Sequence, residues 1–354
     1  MNVEEIIKLL KQRVVAHPKF ERTYKSLYSE AALEPPGTVI ALLGPTRVGK
    51  TTLSLRLAEA LFGPEASKGP YRPLIRIEAA TTDQGFISTR YLIQQLLQAL
   101  DHPFLDPHAY GVRTKDTEAG LRVRLLQALE LRKTTHIIID EAHHLLRTKS
   151  NRSVVAALDM LKCLSNEANC VLILVGGYEL LGKIFQSAHL NGRIRVIDFA
   201  NYGTGAQDVV TFDRLLITLD QILPWAKGEC MFDHRDLMYQ GSCGCFGLLI
   251  RWVISALSEM AAEDKHALTK TFFTSTLYDE QIAPIKREIE VGRALLKAIQ
   301  TGGDSASKQS PEEQSKNRGA KPKDAPKRAR RTKRKPFQRR PHRDPVRKRA
   351  GDGP

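Results

Sequence analysis

Residues 38–52 read Thr-Val-Ile-Ala-Leu-Leu-Gly-Pro-Thr-Arg-Val-Gly-Lys-Thr-Thr, and this stretch decides the fold. The apolar run 38–43 predicts a buried strand, and the periodic leucines after Thr51 predict a helix. Between them, residues 44–51 match the pattern G-x-x-x-x-G-K-[ST] at every fixed position. In this pattern the glycines let backbone N–H groups turn towards an anion at the start of a helix. The stretch therefore predicts a phosphate-binding loop.

The polar side chains of this loop have separate predicted roles. Lys50 is expected to place its charge on the β- and γ-phosphates, and the Thr51 hydroxyl is expected to bind Mg²⁺. ATP and Mg²⁺ are therefore the predicted cofactors. The predicted nucleotide-binding residues are the loop and the residue after it: Gly44, Pro45, Thr46, Arg47, Val48, Gly49, Lys50, Thr51 and Thr52.

A second part of the same site is predicted at residues 136–143, which read His-Ile-Ile-Ile-Asp-Glu-Ala-His. The short apolar run is typical of a central parallel strand, and it ends in two adjacent carboxylates. Because an unpaired buried charge is costly, acids at this place indicate a cation or a reaction. Asp140 is predicted to bind the metal with Thr51, and Glu141 to orient and deprotonate the attacking water. ATP hydrolysis, or switching driven by ATP, is the first functional prediction.

Strand and helix patterns alternate through the first two hundred residues, which predicts a parallel α/β sheet sandwiched by helices. From Thr211 to Phe273 the patterns are helical only, which predicts a small helical lid domain. We divide the chain where composition and pattern change. The predicted parts are an N-terminal helical segment (1–36), the ATPase domain (37–203), the lid and C-terminal helices (204–300) and a tail (301–354).

The charge of the chain is concentrated in that tail. The formal net charge is +15, from 54 Lys and Arg against 39 Asp and Glu, but residues 321–350 alone hold 15 Lys and Arg and 2 Asp. The rest of the chain is nearly neutral. A segment so rich in charge and so poor in apolar residues is expected to be disordered. Its density of cations favours binding to a nucleic-acid backbone over a merely solvating role, and it predicts no sequence preference.

Several other classes are disfavoured by composition. No apolar run approaches 18 residues and the N-terminus is acidic and amphipathic, so neither a membrane anchor nor a signal peptide is predicted. Five cysteines are an odd number, and the close pair Cys243 and Cys245 lacks the second pair that a zinc site needs. Reduced thiols and a cytoplasmic location are the resulting expectations.

Taken together, the phosphate loop, the Asp-Glu strand and the helical lid resemble AAA+ ATPases, a branch of the P-loop NTPases. Over roughly residues 15–275 the local sequence resembles that of the transposition ATPases of the TniB/TnsC type. The segments that carry this resemblance, besides the two motifs, are His17-Pro-Lys-Phe20, Leu174-Val-Gly-Gly-Tyr-Glu-Leu180 and Gly247-Leu-Leu-Ile-Arg-Trp-Val-Ile-Ser-Ala256.

The resemblance implies two further catalytic residues besides Glu141. Arg193 resembles the arginine finger that one subunit offers to its neighbour, with Arg195 as the competing candidate. Arg251 resembles the sensor that reaches the γ-phosphate from the lid. Plain surface positions are the alternatives for these arginines.

The resemblance also implies a biological role. Subunits would bind ATP at their interfaces and assemble as a ring or helical filament on double-stranded DNA. The assembly would mark target DNA and recruit a transposase, with target-selector proteins as further partners, and hydrolysis would dismantle it. The corresponding location is the nucleoid of a bacterium.

One departure from the family concerns the third strand, whose terminus is Gly176, Gly177 and Tyr178 where many AAA+ proteins have Asn or Thr. This departure favours slow ATP hydrolysis that times an assembly over the rapid hydrolysis of a motor protein. DNA contacts are expected from loops near helix ends, and the candidates, each with an alternative as a plain surface charge, are Arg90, Arg113, Lys115, Lys149 and Arg152.

Three rival classes remain at this stage. The letters Asp140-Glu-Ala-His143 also match the DEAH box of helicases, but residues 200–300 are too helical to supply a second RecA-like domain. A nucleotide-switched signalling or defence ATPase would act mainly through protein partners. A phosphotransferase on a small substrate would not explain the long helical lid and the basic tail.

Overall fold

The structure is a computed structural model, and it describes residues 2–12, 17–64, 69–80, 88–103, 117–146, 151–186, 194–277 and 279–300. Met1–Gly303 forms one compact unit. The second unit, Asp304–Pro354, lies outside the described residues, and so does the whole predicted tail. The domain boundaries drawn from the sequence stay predictions.

In the described ranges, five parallel strands form one sheet in the spatial order β2-β3-β4-β1-β5. Strand β4 therefore lies between β1, which leads into the phosphate loop, and β3, which ends in the two acids. Since the strands are parallel, their carboxyl ends meet at one edge, where open α/β sheets bind ligands. The bounds are β1 Val39–Leu43, β2 Leu74–Glu78, β3 His136–Asp140, β4 Val171–Gly176 and β5 Ile194–Asp198.

Both faces of the sheet are covered, which explains why its central strands read as continuous apolar runs. In β1, Ala41 and Leu43 pack on one face, and Ile40 and Leu42 pack on the other. Helices α4 (Thr89–Ala99), α5 (Glu118–Leu131), α6 (Asn151–Glu167) and α7 (Glu179–Gln186) cover the first face. Helices α2 (Pro18–Leu33) and α3 (Lys50–Phe62) cover the second. The predicted parallel sheet between helices is confirmed.

The region after the sheet is helical, as predicted. Its helices are α8 (Ala206–Asp220), α9 (Arg235–Ser242), α10 (Phe246–Ala262) and α11 (Lys270–Ser275). Their common core includes two buried residues of α1 (Val3–Gln12), namely Ile6 and Leu10. The N-terminal segment therefore belongs to both parts of the fold, because α1 packs with the lid helices and α2 packs on the sheet.

His17 joins these two parts at the start of α2. Its Nδ1 atom lies 2.8 Å from the Tyr202 hydroxyl and 3.3 Å from the backbone nitrogen of Phe20. Its ring stacks on Phe199 and lies 4.9 Å, centroid to centroid, from that of Phe246. Burial, assisted by the nearby Lys19 charge, lowers the pKa of His17 to about 4, so the imidazole is neutral near pH 7. The junction between the end of the sheet and the lid is thus aromatic and uncharged at this residue.

The last described helix, α12 (Asp279–Gln300), returns to the carboxyl edge of the sheet. Ile285 and Ile289 are buried in a small cluster with Cys243 and Cys245, and further along Leu295 packs against the main core. All five cysteines of the chain are free thiols. In the described ranges no single helix is long and apolar enough to span a membrane, although a bent pair, Phe232–Ser242 with Phe246–Ala262, passes by length and composition.

Candidate active site at the carboxyl edge of the sheet

The phosphate loop connects β1 to α3 and is held by close backbone packing. A Cβ atom on Gly44 would lie 2.4 Å from the carbonyl oxygen of Phe199, so only glycine fits beside the residue that follows β5. Gly49 begins the turn into α3 with φ at 114°, in the region where L side chains are strained. The two glycines of the motif therefore have separate tasks, one in close packing and one in backbone conformation.

Lys50, the first residue of α3, is largely enclosed by this loop. Its ammonium group donates hydrogen bonds to the carbonyl oxygens of Gly44 and Pro45, both at 2.8 Å. Burial lowers the pKa of Lys50, while the carboxylates of Glu288 and Glu141 act in the opposite direction. Two backbone carbonyl groups thus hold the ammonium group of Lys50 at the loop.

The acidic strand places its two carboxylates differently. Asp140 is 3% exposed, and its carboxylate accepts the backbone N–H of Glu141 at 2.9 Å and pairs with Arg76 on β2. Glu141 has φ at 50°, a left-handed conformation that is uncommon for a residue other than glycine. Its carboxylate lies 3.0 Å from Nδ1 of His143. Asp140 is therefore fixed within the sheet, and Glu141 is turned out of it.

The end of β4 lies between the loop and the acidic strand, and it carries neither Asn nor Thr. Tyr178 is turned away from the site, since it is 2% exposed and its hydroxyl donates to Oδ1 of Asp198 at 2.6 Å. Gly177 and Glu179 are the residues of this turn that line the site. A charged side chain is thus available where sequence reasoning saw only small residues and a tyrosine.

The lid reaches the loop through the first turn of α10. A Cβ atom on Gly247 would lie 2.4 Å from the carbonyl oxygen of Arg47, so the helix and the loop approach to backbone contact. Arg251 lies one turn further along the same helix face and is exposed. Burial and the charge of Arg251 lower the pKa of Arg47. The two arginines therefore form a cationic rim beside the loop, although Arg251 is not among the described residues that line the cavity itself.

These elements enclose a cavity of about 830 Å³, within the range of small-molecule sites. Three lining residues, Pro284, Ile285 and Glu288, come from α12. Oε2 of Glu288 accepts the backbone N–H of Thr46 at 3.1 Å. The lining residues are Thr46, Arg47, Gly49, Lys50, Thr51, Thr52, Glu141, His143, Gly177, Glu179, Gly247, Pro284, Ile285 and Glu288.

The cavity brings Glu141 together with six of the predicted nucleotide-binding residues, namely Thr46, Arg47, Gly49, Lys50, Thr51 and Thr52. Gly44, Pro45, Val48 and the predicted metal ligand Asp140 are not among its described lining residues. The structure places other predicted residues elsewhere: Arg90 lies on α4, away from the cavity. Arg113, Lys115, Lys149 and Arg193 lie outside the described residues, and so does the side chain of Arg152. Sequence reasoning missed His143, Glu179 and Glu288 as site residues, and for Glu288 the sequence carries no signal.

The chemistry of two residues fits a magnesium ion of the kind that phosphate loops use: the Thr51 hydroxyl belongs to a residue that lines the cavity, and the Asp140 carboxylate, which pairs with Arg76, directly precedes the lining residue Glu141. Within the described ranges no group of three or more His, Cys, Asp or Glu residues could hold a metal. Such a magnesium site needs only a hydroxyl and a carboxylate, because phosphate oxygens and water complete it. Thr51 and Asp140 are the residues that would hold the ion, and bound there it would neutralise charge on the phosphates.

Comparison with known proteins gives the same class as the geometry, that of the P-loop NTPases. Residues 36–184 match the family model of the AAA domain, and the sheet with its flanking helices has the P-loop AAA+ fold. The structure of the Aeropyrum pernix ORC1 protein in complex with DNA is similar, with a TM-score of 0.54, 15% identity, and coverage of 83% of this chain and 74% of that chain. The Aeropyrum pernix ORC2 protein, in ADPNP-ADP complexes, has a TM-score of 0.52 and 13% identity over 77% of this chain and 71% of its own. At these identities the likeness concerns the fold, and no curated protein sequence matches the chain significantly.

We expect Lys50→Ala and Glu141→Gln to fail in different ways. Loss of the Lys50 charge removes the partner of the phosphates, so nucleotide binding should be abolished. Glu141→Gln keeps the shape of the side chain but removes the base, so binding should persist while turnover falls about 100-fold or more. Calorimetric titration with ATP and a phosphate-release assay measure the two effects.

Glu290→Gln is the matched control, because it neutralises an exposed carboxylate that does not line the cavity. Its turnover should stay within a few-fold of the unmodified protein. Equal loss of binding in Lys50→Ala and Glu141→Gln would exclude Glu141 as the base.

Proposed function

We propose that this protein is an ATP-dependent regulator of DNA transposition, which assembles on double-stranded DNA with ATP and is released by hydrolysis. The observation that carries the ATP-driven part is the contact of the lid with the phosphate loop. Gly247 of α10 approaches the Arg47 carbonyl, and α12 contributes Glu288 to the same cavity. A nucleotide bound by this loop would touch the sheet and the lid together, which is the arrangement that a switch requires.

In this proposal ATP stabilises the contact between subunits. The γ-phosphate bound by one subunit gives a guanidinium of the next subunit a partner, and its loss weakens the interface. We assign this trans role to Arg193. Arg195, the competing candidate, is paired within its own chain, with its Nε atom 3.1 Å from Glu34 and 3.9 Å from Glu30. This intramolecular pairing favours Arg193.

The proposed DNA interaction is with phosphates and duplex shape, since the chain shows no base-reading motif. The body of the protein is nearly neutral, so an assembled pore would have to bring cations together from several subunits. Arg90, Arg113, Lys115, Lys149 and Arg152 are the proposed residues, and residues 321–350 would add a salt-sensitive contact. The Aeropyrum pernix ORC1 structure, which is a complex with DNA, supports the idea that this fold suits such a partner.

Hydrolysis is proposed to be slow and regulatory. The β4 terminus offers Gly177 and Glu179 to the cavity, and neither supplies the neutral amide or hydroxyl that many AAA+ proteins direct at the γ-phosphate. Slow hydrolysis would leave the assembly on DNA long enough to recruit a transposase. The transposase, target-selector proteins and a bacterial nucleoid location belong to this proposal through the resemblance to TniB/TnsC proteins.

Arg193→Ala should leave ATP binding by monomers intact and remove both hydrolysis and assembly, because a trans residue acts only across an interface. Mixing this variant with Lys50→Ala protein should restore part of the activity, since one complete interface forms from the two. ATPase rates of the mixture across a range of ratios measure this. Absence of rescue, together with a stronger defect in Arg195→Ala, would transfer the role to Arg195.

Deleting residues 305–354 should separate two modes of DNA binding. The full chain should bind duplex DNA without ATP through its basic tail, and the truncated chain should bind only with ATP. Each lost phosphate contact should flatten the log–log salt dependence of affinity by about 0.9. Titrations of both forms from low to moderate salt, with and without ATP, measure this.

Two results would count against this division. Equal affinity and salt dependence of both forms without ATP would show that the tail is not a DNA-binding element. No DNA binding by the truncated chain, even with ATP, would favour the rival nucleotide-switched protein that acts through protein partners.

A further inference from the structure

Helix α12 contacts the phosphate loop through the side chain of Glu288. Oε2 of Glu288 accepts the backbone N–H of Thr46 at 3.1 Å, across 242 residues of sequence. Oε1 of the same carboxylate lies 3.1 Å from the place that a Cβ atom on Gly177 would take. The carboxylate therefore lies between the loop and the end of β4, and it uses one of the loop's own N–H donors.

The charge of Glu288 also acts on Lys50, the lysine of the loop. Among the neighbouring charges, Glu288 has the largest effect in raising the pKa of Lys50 against the lowering by burial. A phosphate loop offers backbone N–H groups and one lysine to an anion. Glu288 thus accepts one backbone donor of the motif directly, and its charge acts on the lysine of the motif.

The position of Glu288 is set by packing further along α12. A Cβ atom on Gly292 would lie 2.1 Å from the ring of Tyr178, so the helix rests directly on this buried tyrosine. Arg293 donates to Oδ1 of Asn201 at 2.9 Å. Ile285 and Ile289 are buried on either side of Glu288 in the sequence. These contacts hold the carboxylate at the loop from the C-terminal part of the helix.

The N-terminal part of α12 contains a point of weakness. Pro284 lies inside the helix and lines the cavity. A proline in a helix lacks the N–H that would bond to the carbonyl four residues earlier, which here is that of Glu280. The turn before Glu288 is therefore the part of the helix that moves at least cost.

We propose that α12 is an autoinhibitory lid, in which the Glu288 carboxylate competes with the phosphates of a nucleotide for the loop. The inference rests on the proposed binding of nucleotide by this cavity. Two anions cannot share the same donors without strong repulsion in a partly buried site. Binding of Mg-ATP would therefore displace Glu288 from the loop. The position of α12 would then depend on whether the loop holds a nucleotide.

Glu288→Gln tests this directly, because the amide keeps the size of the side chain and removes its charge. The dissociation constant for Mg-ATPγS, measured by calorimetry, should fall about tenfold. Glu290→Gln is the control: it makes the same change of charge two residues along the same helix, at an exposed position that does not line the cavity. Its affinity should stay within about twofold of the unmodified protein.

A second variant should also remove Glu288 from the loop, without any change of charge. Gly292→Ala places a methyl group against Tyr178 and should lift α12 from the loop, so the affinity for Mg-ATPγS should again rise. Thermal melting of each variant establishes that it is folded. In the unmodified full chain, hydrogen exchange at residues 284–292 should become faster when Mg-ATPγS is added.

The outcomes separate this inference from the proposed function. Absence of nucleotide binding by the unmodified protein and by Glu288→Gln would overturn both. Binding by the unmodified protein with the same affinity in Glu288→Gln would overturn the inference and leave the ATPase intact. Weaker binding in Glu288→Gln, or slower exchange in α12 with nucleotide, would also overturn it, because Glu288 would then assist the nucleotide.

Discussion

The backbone contact between Phe199 and Gly44 fixes the phosphate loop, and the rest of the site depends on it. The Phe199 N–H bonds to the Leu43 carbonyl at 2.7 Å, which extends the pairing of β5 with β1 by one residue. The Phe199 carbonyl then lies where a side chain at position 44 would stand. With the start of the loop set in this way, its glycines can turn the N–H groups inward, and Lys50 can close on the carbonyls of Gly44 and Pro45.

Because the loop is fixed to the sheet, the elements that touch it are placed relative to the chemistry. His17 stacks on Phe199 and connects the start of α2 with the lid through Phe246. Gly247 brings α10 to the Arg47 carbonyl, and α12 approaches from the side of β4. The loop is thus a junction of the sheet, the N-terminal helices and the lid. A change in the charge that the loop holds acts on all three at once.

The parts of this arrangement that the sequence predicts are those encoded locally. The match at residues 44–51, the apolar runs of the strands and the two acids at 140–141 each follow from spacing within a few residues. Residues 171–176 could likewise be predicted as a strand, because this strand is buried on both faces of the sheet. The parallel sheet follows from the alternation of strand and helix.

What sequence reasoning missed depends on tertiary contacts. Glu288 lies between two buried isoleucines on an amphipathic helix, and nothing in that pattern indicates a loop 242 residues away. Tyr178 belongs to the β4 terminus, and its hydroxyl turns to Asp198 because Gly292 leaves room for its ring. Glu179 takes the place beside the cavity as a consequence. Each of these results is decided by how α12 packs, which no local pattern encodes.

The central claim is that ATP bound at this loop joins subunits on duplex DNA. The most direct measurement is electron microscopy of the full chain with duplex DNA, Mg²⁺ and a non-hydrolysable ATP analogue, compared with the same mixture containing ADP. We expect ordered rings or helical filaments around DNA with the analogue, with nucleotide at each interface between subunits, and their loss with ADP. Single subunits that bind the analogue but form no ordered assembly on DNA would contradict the claim.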